Sequence, residues 1–146
     1  MHRETRIVPY PAALMYRVVA EVEHYPQFLP WVVGLRVKSR TADTVIAEML
    51  VGYKGFREKY TSRVELDPAQ LRIDVAQIEG PFRVLENHWH FVPVTDGCEV
   101  HFAIDFAFKN RILGAVAGAA FEKVLLKMTQ AFEARAKELY EQGETA

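Results

Sequence analysis

The chain has 146 residues, half of them hydrophobic and a quarter charged, and its net charge is −1. This length and composition predict a single globular domain over residues 1–146, with enough apolar side chains for a substantial core. The near-neutral charge excludes a general attraction to nucleic acid, so no DNA binding is expected, and the lone Cys98 excludes an intramolecular disulfide framework.

The N-terminal part of the chain predicts a strand, a helix, an aromatic loop and a second strand. Residues 4–10 form the predicted strand. Residues 12–23 place apolar side chains on one side of a helix, and the proline before them suits its first turn. Residues 25–31 combine two prolines with three aromatic residues, which predicts a short helical turn or an ordered loop. Residues 32–40 return to the pattern of a strand.

Antiparallel hairpins follow, and their turns set the strand register. The pair Lys54-Gly55 suits a two-residue turn, which places Met49 opposite Tyr60. The next turn contains a proline after an aspartate, and pairing Leu66 with Leu71 around it fixes the second hairpin. The strands on either side are therefore expected to be neighbours in one sheet.

The pair Asp96-Gly97 is the strongest hairpin signal in the chain, and it sets Trp89 opposite Ile104. Together the three registers predict one face that carries Val45, Ala47, Met49, Val51, Phe56, Tyr60, Val64, Leu71, Ile73, Val75, Leu85, Trp89, Phe91, Val100, Phe102, Ile104, Phe106 and Phe108. The same face includes four polar residues, Glu58, Ser62, Gln77 and Asn87. Charged residues and histidines occupy the opposite face, which is typical of an antiparallel sheet exposed to water on one side.

The polar face is rich in basic residues. In the predicted register Arg63 lies opposite Asp74 and Arg72 lies opposite Glu65, so cross-strand ion pairs account for much of the basic stripe. Contact of this face with nucleic acid or with a ribosome stays open as an alternative.

Three histidines, His88, His90 and His101, share that polar face. His101 is expected to face Val92, diagonal to His90, and no acid or thiol completes a zinc site with them. We therefore expect solvated surface histidines and no metal site. No nucleophile with a paired base and no phosphate-binding loop is present either, so no catalytic residue is predicted.

The C-terminal segment, from Asn110 to about Tyr140, predicts one long amphipathic helix. At 100° per residue, one stripe contains Leu113, Ala117, Phe121, Val124, Leu125, Met128, Ala131, Phe132 and Leu139. The longest apolar run, Ile112 to Phe121, has ten residues, too few for a membrane span. A helix of about 30 residues is roughly 45 Å long and must pack across a broad surface. We therefore predict an α+β fold in which a curved antiparallel sheet of about seven strands wraps around this helix.

Several stretches resemble the coenzyme Q-binding proteins of the helix-grip, START-like superfamily. They are Tyr25-Pro26-Gln27-Phe28-Leu29-Pro30-Trp31, Tyr60-Thr61-Ser62-Arg63-Val64, Gly80-Pro81-Phe82-Arg83-Val84-Leu85 with Trp89 and Phe91, and Cys98-Glu99-Val100 leading to Phe106 and Phe108. The resemblance covers nearly the whole chain. A branch of ribosome-associating toxins belongs to the same subfamily, and these motifs do not separate the two branches.

The resemblance implies a cavity between the sheet and the last helix that binds ubiquinone or a similar isoprenoid lipid in support of respiration. We expect a monomeric, non-enzymatic and cytoplasmic bacterial protein without a cofactor, in transient contact with the inner membrane. The open alternatives are a ribosome-binding translation inhibitor and a small aromatic polyketide cyclase or dehydratase, with Glu58 as its acid or base.

The candidate ligand-binding residues come from the inner sheet face, the aromatic loop and the helix stripe. They are Phe28, Leu29, Trp31, Met49, Phe56, Tyr60, Ser62, Gln77, Asn87, Trp89, Phe91, Phe102, Phe106, Leu113, Ala117, Phe121, Val124 and Met128. Asn87 is expected to bind the polar head of the lipid, because its amide can donate to a carbonyl oxygen. Phe28, Leu29 and Trp31 are expected to insert shallowly into the bilayer at the cavity mouth.

Overall fold

The computed structural model describes residues 1–53 and 55–146. For Phe56 it describes only the backbone. Its strands are β1 (His2–Val8), β2 (Val32–Arg40), β3 (Thr44–Tyr53), β4 (Phe56–Asp67), β5 (Arg72–Glu79), β6 (Phe82–Val94) and β7 (Gly97–Phe108). Its helices are α1 (Ala12–Ala20), α2 (Tyr25–Phe28) and α3 (Arg111–Glu141), with a 3-10 turn at Val22–His24 between the first two. The strands form one antiparallel sheet in the order β1-β7-β6-β5-β4-β3-β2. The predicted α+β helix-grip fold is confirmed.

The helix α3 has 31 residues and crosses one face of the sheet. Asn110 caps its first turn, because the side-chain oxygen accepts hydrogen bonds from the backbone N–H groups of Ile112 at 2.8 Å and Leu113 at 3.2 Å. Every residue of the predicted apolar stripe is buried or half-buried. The predicted start, length and inner face of this helix are therefore confirmed.

The second half of α3 is fixed to the N-terminal helix. Arg17 on α1 donates a hydrogen bond to the carboxylate of Glu144, which follows α3. The rings of Tyr10 and Tyr140 meet edge to face with centroids 5.7 Å apart. The helix α1 ends at Ala20, three residues before the predicted end, and the chain continues as the 3-10 turn.

The predicted register of β3 and β4 is confirmed, since Met49 lies opposite Tyr60. The turn residue Lys54 lies outside the described residues. The predicted register of β4 and β5 is wrong, because Leu66 lies opposite Ile73. Leu71 instead belongs to the turn, where its φ is +56°. The turn therefore keeps four residues and lies one residue further along the chain, at residues 68–71 instead of 67–70.

This shift of two residues keeps each side chain on its predicted face and changes its cross-strand partner. Arg63 lies opposite Ala76, and Glu65 lies opposite Asp74, so the predicted ion pairs between β4 and β5 are wrong. Like charges that face each other are unfavourable. Asp74 has a polar partner on the next strand, β6, where the Nδ1 of His88 lies 2.6 Å from its carboxylate.

The hairpin of β6 and β7 is also shifted by two residues, so Trp89 lies opposite Phe102. Its turn is formed by Thr95 and Asp96, and the φ of Asp96 is +61°. Gly97 is the first residue of β7, and a Cβ there would collide with the carbonyl oxygen of Val8 on β1. The glycine is therefore required by close approach of two strands, and not by the turn conformation that the Asp-Gly pair predicts.

Candidate ligand-binding cavity

A cavity of about 100 Å³ lies between the sheet and α3. It is lined by Val22, Tyr25, Leu29, Trp31, Val32, Ala47, Met49, Val51, Tyr60, Ser62, Val64, Val75, Leu85, Asn87, Trp89, Ile104, Phe121, Val124, Leu125, Met128 and Phe132. The lining is predominantly apolar, which is the usual character of a small-molecule site.

Small side chains on two neighbouring strands, β3 and β4, leave this space open. These strands contribute Ala47, Val51, Ser62 and Val64, together with the larger Met49 and Tyr60, and the helix α3 passes above them. Beside the cavity, the strands β6 and β7 carry large rings that fill the gap under the helix. Cavity and solid core therefore share one face of the same sheet.

Ser62 supplies a polar group without a partner. Its side chain is only 6% exposed, and its Oγ is buried with no hydrogen-bond partner among the described residues. An unsatisfied buried hydroxyl costs about 1–3 kcal/mol. The cavity wall therefore has an unused hydrogen-bonding group for a bound molecule.

The other polar side chains of the wall make internal contacts. The indole N–H of Trp89 donates to the side-chain oxygen of Asn87 at 3.0 Å, which leaves the Asn87 amide nitrogen without a partner among the described residues. The hydroxyl of Tyr60 donates to the sulfur of Met49 at 3.3 Å. Burial raises the pKa of Tyr60 to about 12, so it stays a neutral donor at physiological pH.

The aromatic loop forms the end wall of the cavity. The hydroxyl of Tyr25 donates to the carbonyl oxygen of Val19, and burial, with smaller contributions from Tyr60 and Glu23, raises its pKa. Leu29 and Trp31 are 2% and 6% exposed and line the cavity. Both side chains are therefore covered in this structure, and their insertion into a bilayer stays a prediction that requires the loop to move.

Ten of the predicted ligand-binding residues line the cavity: Leu29, Trp31, Met49, Tyr60, Ser62, Asn87, Trp89, Phe121, Val124 and Met128. Phe28 lies behind the end wall, where its ring meets Phe132 at 5.8 Å and the Arg135 guanidinium at 5.3 Å. Leu113 and Ala117 lie on α3 before the cavity. The side chain of Phe56 lies outside the described residues.

Gln77 has a structural role. Its amide donates to the carbonyl oxygen of Phe82 at 2.8 Å and accepts from the same residue's N–H at 3.2 Å, which closes the turn between β5 and β6. Phe102 and Phe106 also lie outside the cavity wall, against Trp89 at 4.2 Å and Phe121 at 4.7 Å. Phe91 stacks on Trp89 at 6.0 Å. These residues support the wall from behind.

Eleven lining residues were absent from the predicted site: Val22, Tyr25, Val32, Ala47, Val51, Val64, Val75, Leu85, Ile104, Leu125 and Phe132. Most of them were predicted to face inward, from the alternation of the strands and the helix stripe. The available signal was side-chain size, because valine and alanine on neighbouring strands leave more space than phenylalanine does.

The polar face of the sheet holds the three histidines. His90 lies directly opposite His101, which corrects the predicted pairing with Val92, and His101 contacts the Glu99 carboxylate at 2.6 Å. Burial, Arg72 and His101 lower the pKa of His90.

Among the described residues, one group of three potential metal ligands lies close together: Glu21, Glu23 and His24. Both of its carboxylates already pair with arginines, Glu21 with Arg17 and Glu23 with Arg40.

The fold and cavity define a START-like lipid-binding or cyclase domain. The family model described as "Polyketide cyclase / dehydrase and lipid transport" matches residues 8–133, and the chain belongs to this family. No helix of the described residues is both long and apolar enough to cross a bilayer.

Three relatives illustrate the range of the family. The "Ribosome association toxin RatA" of Rickettsia prowazekii is 39% identical over 94% of this chain and 96% of its own length. The mitochondrial "Coenzyme Q-binding protein COQ10" of Drosophila melanogaster is 31% identical over 90% of this chain and 56% of its own length. The solution structure of an 18 kDa protein from Caulobacter crescentus is 39% identical, with a TM-score of 0.76 over 96% of this chain and 99% of the other.

Proposed function

We propose that the protein is a non-enzymatic carrier of an isoprenoid lipid with a polar ring head, of the ubiquinone class, and that it supports respiration. The observation that carries this proposal is the unpartnered hydroxyl of Ser62 in a predominantly apolar cavity. A quinone ring offers carbonyl oxygens, and a buried donor without a partner favours a ligand that accepts a hydrogen bond.

Asn87 offers a second donor in the same wall. Its side-chain oxygen is occupied by Trp89, so the amide nitrogen is the group available to a second ring oxygen. The neutral Tyr60 hydroxyl lies in the same wall. These groups can orient a ring head without any step of bond making or breaking.

The apolar part of such a lipid would supply most of the binding free energy. Removal of apolar surface from water contributes about 25 cal/mol per Å². The cavity of about 100 Å³ is small beside the range of roughly 300–1,000 Å³ for pockets that hold drug-sized ligands. It suits the ring head, and a polyprenyl tail therefore requires α3 to move away from the sheet.

Organic extraction of protein purified from its native cells, followed by mass spectrometry, tests this proposal. We expect a quinone at near-stoichiometric yield. A folded protein that contains no lipid, and that binds no added short-tailed quinone, would exclude the carrier function.

A second candidate function is association with the ribosome as a translation inhibitor. It is favoured by the relative that carries the name ribosome association toxin and matches nearly the full length of both chains. Co-sedimentation of the purified protein with large ribosomal subunits tests it. Stable co-sedimentation of protein with an empty cavity would favour this function over the carrier.

A further inference from the structure

The first half of α3 has an uncovered aliphatic surface. We call it the α3 stripe, and it comprises Ile112, Ala115, Val116 and Ala119, all of them exposed. Ile112 and Val116, at 76% and 78%, are the most exposed large hydrophobic side chains among the described residues. On the opposite side of the same helix, Phe121 and Val124 close the cavity.

The surroundings of the α3 stripe are cationic. Residues 108–127, which comprise the end of β7 and the first half of α3, contain four Lys or Arg and one Glu. Their net charge is +3, while the whole chain carries −1, so the rest of the chain carries −4. Arg111 and Lys123 are exposed on α3 itself, beside the stripe.

We propose that the α3 stripe and its cationic surround dock on an anionic lipid bilayer. An interfacial helix binds a membrane through a shallow apolar face and through cations that meet anionic headgroups, and this surface has both. The proposal rests on the proposed carrier function for its purpose, since docking brings the helix that closes the cavity to the membrane that holds the lipid.

Two other occupants explain less of this surface. RNA binds cations through its phosphates, which leaves the exposed isoleucine and valine without a role. A second copy of the chain in a two-fold dimer would place the same cationic segment, with its net charge of +3, against itself, and like charges repel. A bilayer with anionic lipid satisfies the charge and the aliphatic side chains together.

Co-sedimentation with vesicles of phosphatidylcholine, with and without phosphatidylglycerol, tests the proposal. The full chain is expected to bind the mixed vesicles and to dissociate as salt is raised. Ile112→Ser with Val116→Ser should lower partition to mixed vesicles about tenfold, because two aliphatic side chains no longer leave water. Arg111→Gln with Lys123→Gln should lower it by a similar factor at low salt.

Matched controls come from the other parts of the chain. Ile7→Ser removes an exposed isoleucine of β1, and Lys137→Gln removes an exposed lysine from the second half of α3. Both should leave partition within about twofold of the unmodified chain, because neither side chain lies in the docking surface. The single variant Val116→Ser replaces the double variant if the latter loses its cooperative unfolding transition.

Equal partition of the unmodified chain and the aliphatic variant would overturn the proposal. The proposal would also be overturned if the chain bound an RNA oligonucleotide as tightly as it binds mixed vesicles, and if the aliphatic variant bound that RNA with unchanged affinity. Titration of the same variants with a short-tailed quinone in solution separates this failure from failure of the carrier function. Variants that no longer bind vesicles but still bind the quinone support docking. Failure of the unmodified chain to bind the quinone counts against the carrier function alone.

Discussion

The inner face of the sheet has two regions with opposite packing. Around β6 and β7 the rings are dense: Phe82 stacks on Phe108 at 4.8 Å, and Phe121 lies 5.2 Å from Phe82. Over β3 and β4 most of the cavity-lining positions hold valine, alanine or serine, with Met49 and Tyr60 as the larger exceptions, and the cavity lies there. The same helix covers both regions. Side-chain size on the strands, and not the path of the helix, therefore decides where space is left for a ligand.

Truncation of one buried side chain in each region should give the largest difference in stability between the two regions. Phe82→Ala should lower the free energy of unfolding by about 3–5 kcal/mol, because the ring is almost fully buried among other rings. Val51→Ala at the cavity wall should cost about 1 kcal/mol, because fewer contacts are lost beside existing space. Urea denaturation measures both. Equal costs would mean that the wall is packed as tightly as the aromatic region.

Filling the cavity should weaken binding strongly and preserve the fold. Ala47→Leu inserts a larger side chain into the wall, and a short-tailed quinone should lose about 100-fold in affinity, near the upper end of the usual cost of overpacking. Quenching of tryptophan fluorescence reports binding, since both Trp31 and Trp89 line the cavity. The matched control is Ala76→Leu on the exposed face of β5, which should bind normally. Unchanged affinity in Ala47→Leu would place the ligand elsewhere.

Ser62→Ala separates stability from binding. Removal of the unpartnered hydroxyl should raise the free energy of unfolding by about 1 kcal/mol, while quinone affinity should fall by the equivalent of one hydrogen bond, about 0.5–1.5 kcal/mol. Thermal unfolding and fluorescence titration measure the two effects. Ser39→Ala, on an exposed strand position, should change neither. A loss of stability in Ser62→Ala would show that the hydroxyl already has a partner.

Alkaline pH should destabilise the protein gradually. Burial is the main reason that the pKa of Cys98 rises from 9.0 to about 11 and that of Tyr60 from 10.0 to about 12. Above about pH 9 the unfolded chain therefore binds fewer protons at these groups than the native chain, and the free energy of unfolding falls as pH rises through this range. Urea denaturation at pH 8 and pH 10.5 measures the change. Cys98→Ala should reduce the slope, and a rise in stability with pH would contradict the buried placement.

The fold can be predicted from the sequence because strand alternation and helical periodicity persist over long segments. It missed two hairpin registers by two residues, since Leu71 and Asp96 adopt positive φ values that turn signals alone did not indicate. Gly97 was assigned to the turn, although its role is the approach of β1. Contacts between segments that are far apart in the chain cannot be predicted from local sequence patterns.

The candidate site was predicted in part for a related reason. Inward-facing residues can be identified from alternation, and Trp89 and Ser62 do line the cavity, while their contact with a ligand stays a prediction. Large rings such as Phe102 and Phe106 were then favoured as ligand contacts, yet they pack on one another and on α3. The position of a cavity depends on the summed volumes of many side chains on the sheet and on the helix that covers it. The alternation pattern of one strand does not give that sum.

The most direct test of the cavity assignment is photo-crosslinking with a quinone that carries a photoreactive group on its ring, followed by peptide mapping. We expect adducts on the peptides that contain Met49 and Met128, which line the cavity from β3 and from α3. Excess unlabelled quinone and the Ala47→Leu substitution should both suppress them. Adducts confined to the polar face of the sheet, around His90 and His101, would contradict the account.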